Sequence, residues 1–228
     1  MNIRVISRAP LAAFAILVAG CGLSREKALT APPGTPQVVG TVVRAGVPVA
    51  GMKIALSVHD SADTVVDSTI TDGSGTYAFM SVPPGHWVSR VSPTDSADLG
   101  YVRAFFDVAN PGDAITIPAF DIDVHGLVQV SPTDSAIVPL PSFTSALRFT
   151  WTAYQLPYLT ASARVSVNGV IAWTSIRNKS TQADWNGMGN RGAFAFQALP
   201  PGTYQWRVKL QLPNSIQAAT HLCTLVLQ

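Results

Sequence analysis

The sequence has little charge of either sign and few of the residues that favour helices. Asp, Glu, Lys and Arg together make up 12% of the 228 residues, and Glu26 is the only glutamate. Surface helices usually present Glu, Lys, Arg and Gln to solvent, whereas Val, Thr, Ile, Gly and Pro are the frequent residues here. This composition predicts an all-β protein.

Cysteine is equally scarce. The chain has two, Cys21 and Cys223, and Cys21 directly follows an apolar N-terminal run. A disulfide framework within the folded part is therefore excluded, and burial alone has to stabilise the fold. Cys223 alternates with Leu225 and Leu227, which predicts a core thiol rather than a reactive one.

Motifs of catalysis and of cofactor binding are also absent from the sequence. It contains no Gly-x-Ser-x-Gly nucleophile motif and no glycine-rich phosphate loop, and its four histidines, at positions 59, 86, 125 and 221, are scattered. We therefore expect no enzyme activity and no cofactor. A Ser-His-Asp site assembled from distant residues is the alternative that the sequence leaves open.

The N-terminus has the organisation of a secretory signal. Arg4 and Arg8 precede an apolar run at 9–19, which is shorter than the about 20 residues that a transmembrane helix needs. The run ends in Val18-Ala19-Gly20-Cys21, which resembles the lipobox of bacterial lipoproteins. The resemblance implies cleavage before Cys21 and a diacylglyceryl group on its sulfur; an ordinary cleaved signal peptide is the alternative.

A lipid on Cys21 would attach the protein to a membrane of the cell envelope, because each buried methylene group contributes about 0.8 kcal/mol to anchoring. The next residue is Gly22 and not Asp, which favours the outer membrane in an organism with two membranes. Cleavage would also remove Arg4 and Arg8, so that 13 of the 15 basic residues face 13 acidic ones. We therefore expect a nearly neutral mature protein with no nucleic-acid partner.

The sequence after the signal divides into a linker and two β-domains. Residues 21–35 include Pro32, Pro33 and Gly34, a composition typical of an extended tether. The remaining length is sufficient for two domains, which we predict at 36–125 and 126–228.

Alternation of apolar and polar residues predicts individual strands. Successive side chains of a strand point to opposite faces, so period-two patterns indicate an antiparallel sheet with one buried and one wet face. The wet face includes Arg207 and Lys209. The buried positions are Ile54, Leu56 and Val58, then Leu147, Phe149 and Trp151, and finally Tyr204, Trp206, Val208 and Leu210.

One motif occurs twice, at an offset of 117 residues. Ala78-Phe79, Val82-Pro83-Pro84-Gly85, Trp87 and Arg90-Val91 match Ala195-Phe196, Leu199-Pro200-Pro201-Gly202, Tyr204 and Arg207-Val208. The pattern predicts a strand, a Pro-Pro-Gly corner and a second strand. Duplication and convergence on a common corner explain it equally well.

The first predicted domain contains Val39-Gly40-Thr41-Val42-Val43, then Gly46 to Met52, then Thr71-Asp72-Gly73-Ser74-Gly75-Thr76-Tyr77, before the first corner. In this order and spacing, residues 36–125 resemble a carboxypeptidase regulatory-like domain of the prealbumin-like class. The resemblance implies a seven-stranded Greek-key sandwich, used as a structural, adhesive or carbohydrate-associated module without catalysis of its own.

The second predicted domain contains Val130-Ser131-Pro132, Leu147 to Trp151, Ala163 to Val167 and Leu199 to Val208. With these features residues 126–228 resemble a bacterial fibronectin type III-like domain, whose length of about 100 residues fits a β-sandwich. The predicted fold class is therefore two tandem antiparallel β-sandwiches.

The segment 178–192 is the candidate binding loop. It is rich in Asn, Gly, Ser and Thr and carries Asp184, Trp185 and Arg191. An exposed tryptophan on a polar loop can stack on a sugar ring or contact a protein partner. The alternative, which the pattern favours, is that Trp185 covers the sheet edge; Trp173, Tyr154 and Tyr158 fit either arrangement.

Two short motifs have the residue types of cation sites. Asp121, Asp123 and His125 share one face of a predicted strand, at a spacing that suits a metal, while Phe120, Ile122 and Val124 take the other face. Asp72-Gly73-Ser74-Gly75 resembles a fragment of a calcium loop. A solvated strand face and a hairpin turn are the favoured interpretations, so we predict no metal.

These observations predict a non-catalytic, lipid-anchored protein of the cell envelope that acts as a structural or protein-interaction module. A carbohydrate-binding accessory lipoprotein is the alternative, and an envelope hydrolase is a third. The expected partners are a membrane, through Cys21, and an envelope protein or polysaccharide.

Overall fold

The computed structural model describes residues 37–59, 64–154 and 159–228. The signal peptide at 1–20, the lipidation site Cys21, the linker to residue 35 and Tyr158 lie outside the described residues. Within the described ranges, no helix is long and apolar enough to cross a membrane.

The described part of the chain is all-β, as the composition predicts. Apart from turns and a short 3-10 helix at Gly192–Phe194, its regular elements are strands. The strands before residue 126 are β1 (Val38–Arg44), β2 (Val47–Pro48), β3 (Lys53–Val58), β4 (Val65–Ile70), β5 (Thr76–Phe79), β6 (Gly85–Val91), β7 (Tyr101–Val108), β8 (Ile115–Thr116) and β9 (Phe120–Asp121). Those after it are β10 (Gln129–Ser131), β11 (Ala136–Val138), β12 (Leu147–Trp151), β13 (Thr160–Val167), β14 (Val170–Thr174), β15 (Gln182–Trp185), β16 (Gly202–Gln211), β17 (Ile216–Ala219) and β18 (Cys223–Leu227).

Two small sheets flank a large one. In the first, β1 pairs antiparallel with β2 and β5 and parallel with β8 and β9. In the second, β12 lies between β10 and β15, antiparallel to both. Each small sheet belongs to one of the two predicted domains.

The large sheet has ten strands and runs through both halves of the chain. From its N-terminal edge the order is β4-β3-β6-β7-β17-β16, and β13 and β14 continue on the far side of β16. The strand β18 pairs with the beginning of β16 and carries β11 as a parallel neighbour. The predicted boundary near residue 125 stays a prediction, but backbone pairing connects the chain on either side of it.

The connection between the halves is the antiparallel pair β7 and β17, in which Tyr101 lies opposite Ala219 and Ala104 opposite Ile216. Next to this pair the N–H of Gly100 donates a 2.8 Å hydrogen bond to the carbonyl of Ala219. A Cβ atom on Gly100 would lie 2.6 Å from the carbonyl oxygen of Thr220 and would collide with it. Glycine therefore permits the close approach of the two backbones.

The buried face of the sheets follows the predicted alternation with one exception. Ile54 and Leu56 on β3 are buried, but Val58 is 38% exposed and Ser57 is buried instead. The register of β3 against β4 shifts between Leu56 and Ser57, and such a shift reverses which side chains point inward. The prediction of a buried Val58 was therefore wrong.

The two Pro-Pro-Gly corners share one hydrogen bond. The indole N–H of Trp87 donates to the carbonyl of Pro83 at 2.8 Å, and the hydroxyl of Tyr204 donates to the carbonyl of Pro200 at 2.7 Å. The glycines have similar backbones, with φ of 151° at Gly85 and 158° at Gly202, and they begin β6 and β16. The corner and the strand after it thus match the prediction in both copies.

The strand predicted before the corner exists only in the first copy. Phe79 ends β5 and is 2% exposed, whereas Phe196 follows the 3-10 helix, has φ of 63° and is 90% exposed. The prediction of a strand at Ala195-Phe196 was therefore wrong. The motif repeats a corner and not a whole hairpin.

Candidate functional site

The predicted binding segment contains a strand, and its tryptophan is buried. Trp185 ends β15, is fully buried and donates its indole N–H to the carbonyl of Met188 at 2.9 Å. It is therefore not available to stack on a sugar, which corrects its assignment to a binding loop. Asp184 is exposed and pairs with Arg148 at 2.7 Å across the strands β12 and β15, and Arg191 is exposed just before the 3-10 helix.

Trp185 belongs to an aromatic cluster in the core. Its ring lies 5.9 Å from Trp173, 6.2 Å from Phe149 and 6.4 Å from Tyr204, and Phe149 lies 4.9 Å from Trp206. These separations are typical of packed aromatic pairs. The structure therefore agrees with the alternative in which Trp173 and Trp185 cover the sheet.

Asp121, Asp123 and His125 come together in a closed cluster, but not along a strand. The strand β9 ends at Asp121, and His125 lies in a turn with φ of 44°. The prediction of a strand that carries all three on one face was therefore wrong. The two ring nitrogens of His125 lie 2.8 Å from Asp121 and 3.3 Å from Asp123. Asp121 also accepts hydrogen bonds from the backbone of Ala45 and Asp123. Within the described ranges, no group of three or more His, Cys, Asp or Glu residues has the arrangement of a metal site.

Tyr154 joins this cluster and not the tryptophans. Its ring packs edge-on against His125 at 5.3 Å, and its buried hydroxyl has no hydrogen-bond partner among the residues at 37–59, 64–154 and 159–228. Burial, followed by the nearby Asp121 and Asp123, raises the pKa of Tyr154. Tyr154 is therefore a neutral packing residue of the cluster.

The Asp72 motif forms a tight turn between β4 and β5, which belong to different sheets. One carboxylate oxygen of Asp72 accepts hydrogen bonds from the N–H and hydroxyl of Ser74 and from the N–H of Thr76, at 2.7 to 3.0 Å. The hydroxyl of Ser74 lowers the pKa of Asp72 most. Gly75 adopts φ of 73°, which favours glycine. The motif is thus a turn, as predicted, but it connects two sheets, so the prediction of a hairpin was wrong.

The remaining histidines and Cys223 lie in separate surroundings. His59 packs against Phe105, His86 lies 2.6 Å from Asp107, and His221 contacts the carbonyl of Asp95 at 3.0 Å. Cys223 is half-buried against the core, on the same face of β18 as Leu225 and Leu227, in line with its prediction as a core thiol. Burial raises its pKa and keeps it protonated.

A different surface carries a cluster of four arginines. On the outer face of the ten-stranded sheet, a pocket of about 290 Å³ is lined by Arg90, Tyr101, Arg103, Arg164, Gln205 and Arg207. We call it the arginine pocket. Its residues come from β6 and β7 on one side of the connection between the halves and from β13 and β16 on the other.

The register of the sheet places the four arginines in two facing pairs. Arg90 lies opposite Arg103 on β6 and β7, and Arg164 lies opposite Arg207 on β13 and β16. Tyr101 lies between the pairs, since the guanidinium carbons of Arg103 and Arg207 are each 5.4 Å from its ring centroid. Cation–π contact of this kind holds arginine side chains in place.

Three of the arginines in the pocket have no carboxylate partner among the described residues. They are Arg103, Arg164 and Arg207, and none has a carboxylate within ion-pair distance in that part of the chain. Burial lowers the pKa of Arg164 and Arg207, and the charge of Arg103 lowers both further. Next to them, burial and then the charges of Arg164 and Arg103 lower the pKa of Lys209 to about 7.

Comparison with known proteins gives no family for this chain. No family model matches the sequence, and no curated protein matches it significantly. Among solved structures, the fibronectin(III)-like modules of Clostridium thermocellum CbhA are 13% identical with a TM-score of 0.31, over 86% of this chain and 90% of theirs. A streptococcal ancillary pilin is 14% identical with a TM-score of 0.31, over 84% of this chain and 61% of its own.

Similarity at this level transfers no site to the present chain, so the candidate site is defined by its own geometry. The sequence contains a partial signal for it, because Arg207 and Lys209 occupy the polar positions of an alternating strand. What the sequence does not contain is the pairing of β16 with β13 and of β17 with β7. Without that register, arginines at 90, 103, 164 and 207 are four unrelated surface residues.

Proposed function

We propose that this protein is a non-catalytic, lipid-anchored interaction module of the cell envelope. The lipobox at Cys21 and the proline-rich linker support the anchor, and the ten-stranded sheet supports a rigid scaffold beyond it. In this proposal residues 36–125 are the carboxypeptidase regulatory-like unit and residues 126–228 the fibronectin type III-like unit. The expected location is the outer membrane where the organism has two membranes.

The observation that carries an interaction role is the arginine pocket. Like charges that lie directly opposite each other on neighbouring strands destabilise a sheet. In the pocket Arg164 lies opposite Arg207, and among the described residues no carboxylate lies within ion-pair distance of either. A sheet that served only as a spacer would gain stability from mixed charges at these positions. We infer that the cations are present for a partner that supplies the missing negative charge.

The carbohydrate alternative has lost one of its two supports, because Trp185 lies in the core; the resemblance to a carboxypeptidase regulatory-like domain still supports it. An envelope polysaccharide can still be a partner, through the arginine pocket, if it carries anionic groups. The proposal therefore keeps an envelope protein or an anionic polymer as the partner class.

Fatty-acid labelling of the full chain in a bacterial host tests the anchor. We expect the wild-type protein to incorporate an alkyne-labelled fatty acid and to sediment with the outer membrane. The matched variant Cys21→Ser should lose the label and leave the membrane fraction. An unlabelled 228-residue chain in the cytosol would contradict the proposal.

A further inference from the structure

The arginine pocket has the features of a built anion site. Two of its donors, the Nε atoms of Arg103 and Arg164, are buried without a hydrogen-bond partner in the described part of the chain. Buried donors are nearly always paired in folded proteins, because an unpaired one costs about 1–3 kcal/mol. The two unpaired donors therefore leave part of the hydrogen-bonding capacity of these arginines unused.

The arginines are held in place by the sheet and by neighbouring side chains. A terminal nitrogen of Arg103 donates to the side-chain oxygen of Gln217 at 2.9 Å, and Tyr101 contacts both Arg103 and Arg207. Preorganised arginines bind an anion with little further loss of side-chain entropy. The arginines of the pocket are thus preorganised for an anion.

The number of cations indicates which anion fits. A carboxylate has one charge and two oxygens, and a single arginine satisfies it with two parallel hydrogen bonds. A phosphate group has up to two charges and three oxygens, so it can bind several guanidinium groups at once. Gln205 and Ser166 also line the pocket and add neutral hydrogen-bonding groups.

The pocket also has room and an apolar border for more than a bare ion. Its volume of about 290 Å³ is at the lower end of the range for small-ligand sites. Ile171 and Leu222 lie at its edge and are both partly exposed. A phosphate carried on a larger molecule can therefore place its charge on the arginines and its carrier against this edge.

We infer that the arginine pocket binds a phosphate-bearing ligand, with guanidinium groups from both halves of the chain converging on one phosphate. This inference rests on the proposed interaction role and names its ligand class. The phosphate can belong to a soluble molecule or to a lipid headgroup, because the same guanidinium chemistry recognises both.

Titration calorimetry with the purified full chain in neutral detergent tests the inference, with pyrophosphate as the soluble probe and constant ionic strength. We expect saturable binding that Arg207→Gln weakens by about tenfold or more, since a hydrogen bond to a charged group contributes about 1.5–3 kcal/mol. Arg148→Gln is the matched control, because Arg148 is an exposed arginine on a different sheet, and it should leave binding unchanged.

Loss of folding cannot account for the expected result. Arg207→Gln removes a like-charge pair, so the variant should melt at or above the wild-type temperature. A melting scan of each variant checks this directly.

Vesicles distinguish the two sources of phosphate. Binding to vesicles of phosphatidic acid, but not of phosphatidylcholine, with the same dependence on Arg207, would assign the site to a lipid headgroup; binding of pyrophosphate alone would assign it to a soluble ligand. Absence of Arg207-dependent binding to either probe would overturn the inference, as would tighter Arg207-dependent binding of citrate than of pyrophosphate. The fatty-acid label on Cys21 is independent of these outcomes, so the proposed anchor and the site can fail separately.

Discussion

The two faces of the strand β16 differ more than its simple alternation predicts. On the inner face Tyr204 and Trp206 are buried in the aromatic core of the C-terminal half. On the outer face Arg207 is half-buried, and Lys209 is only 6% exposed although it carries an amine. The inner face has the role that its residues predict, whereas the outer face is a crowded cationic surface.

The difference shows which properties of a strand can be predicted from its own sequence and which depend on its neighbours. An apolar face is buried wherever the strand lies, because burial of apolar area favours any packed position. The role of a polar face depends on its neighbours, and here the neighbours are β13, β17 and β7. A single strand cannot specify those neighbours, because the pairing of β13 with β16 joins residues 39 to 51 positions apart and that of β17 with β7 joins residues 112 to 118 positions apart.

The largest expected effect is on the inner face. Trp185→Ala removes a fully buried indole, and truncation of a buried tryptophan costs about 3–5 kcal/mol. Urea denaturation should show this loss, while pyrophosphate binding to the folded variant stays unchanged. The control is Phe143→Ala, because Phe143 is 82% exposed and its change should stay within about 0.5 kcal/mol. If Trp185→Ala instead binds pyrophosphate more weakly at an unchanged free energy of unfolding, Trp185 is a binding residue and not a core residue.

The connection between the halves is the next most sensitive point. Gly100→Ala places a Cβ atom against the backbone of Thr220 and His221, and overpacking of this kind costs about 1–3 kcal/mol. Gly73→Ala is the matched control, since its Cβ would meet no atom within 4 Å. Equal stability of the two variants would show that β7 and β17 are not packed as described. The measurement is again urea denaturation.

Lys209 on the outer face should make the stability of the protein depend on pH. Burial lowers the pKa of Lys209 from its ordinary value of 10.5 to about 7. Between these values the unfolded chain binds a proton that the folded chain has released, so stability rises as pH increases from about 7 to 10. Below pH 7 both states are protonated, and the full cost of the buried charge remains.

Lys209→Met should therefore reduce this pH dependence and increase stability at pH 6 by roughly 1 kcal/mol. Lys53→Met, at an exposed lysine of β3, serves as the control and should have neither effect. Thermal melting at pH 6, 7.5 and 9 is the measurement. If the melting temperatures of Lys209→Met and of the wild type change with pH in the same way, the amine of Lys209 is solvated.

The smallest effect is expected at the exposed ion pair of the predicted binding segment. Asp184→Asn removes the partner of Arg148 on the surface, and exposed ion pairs contribute little to stability because water screens them. Asparagine has the size of aspartate but no charge. The melting temperature and pyrophosphate binding should therefore both stay close to the wild-type values. A large loss of either would mean that Asp184 has a role beyond this pair.

Much of the fold could be predicted from local sequence patterns. Scarce helix formers indicated strands, alternation identified the buried residues of β12 and β16, and the Pro-Pro-Gly motif identified two corners. Predictions failed where local geometry changed without a sequence signal, as at the register shift beside Val58 and at the exposed Phe196. The arginine pocket was not predicted because it exists only after long-range pairing of the strands.

Amide hydrogen exchange at the connection between the halves tests the continuous sheet most directly. In this account residues 101–104 and 216–219 are paired inside a sheet, so their peptides should exchange as slowly as those of β16. The edge strand β4 provides the internal reference for fast exchange, because it pairs on one side only. Exchange of 101–104 and 216–219 at the rate of β4 would contradict the shared sheet and the pocket that it assembles.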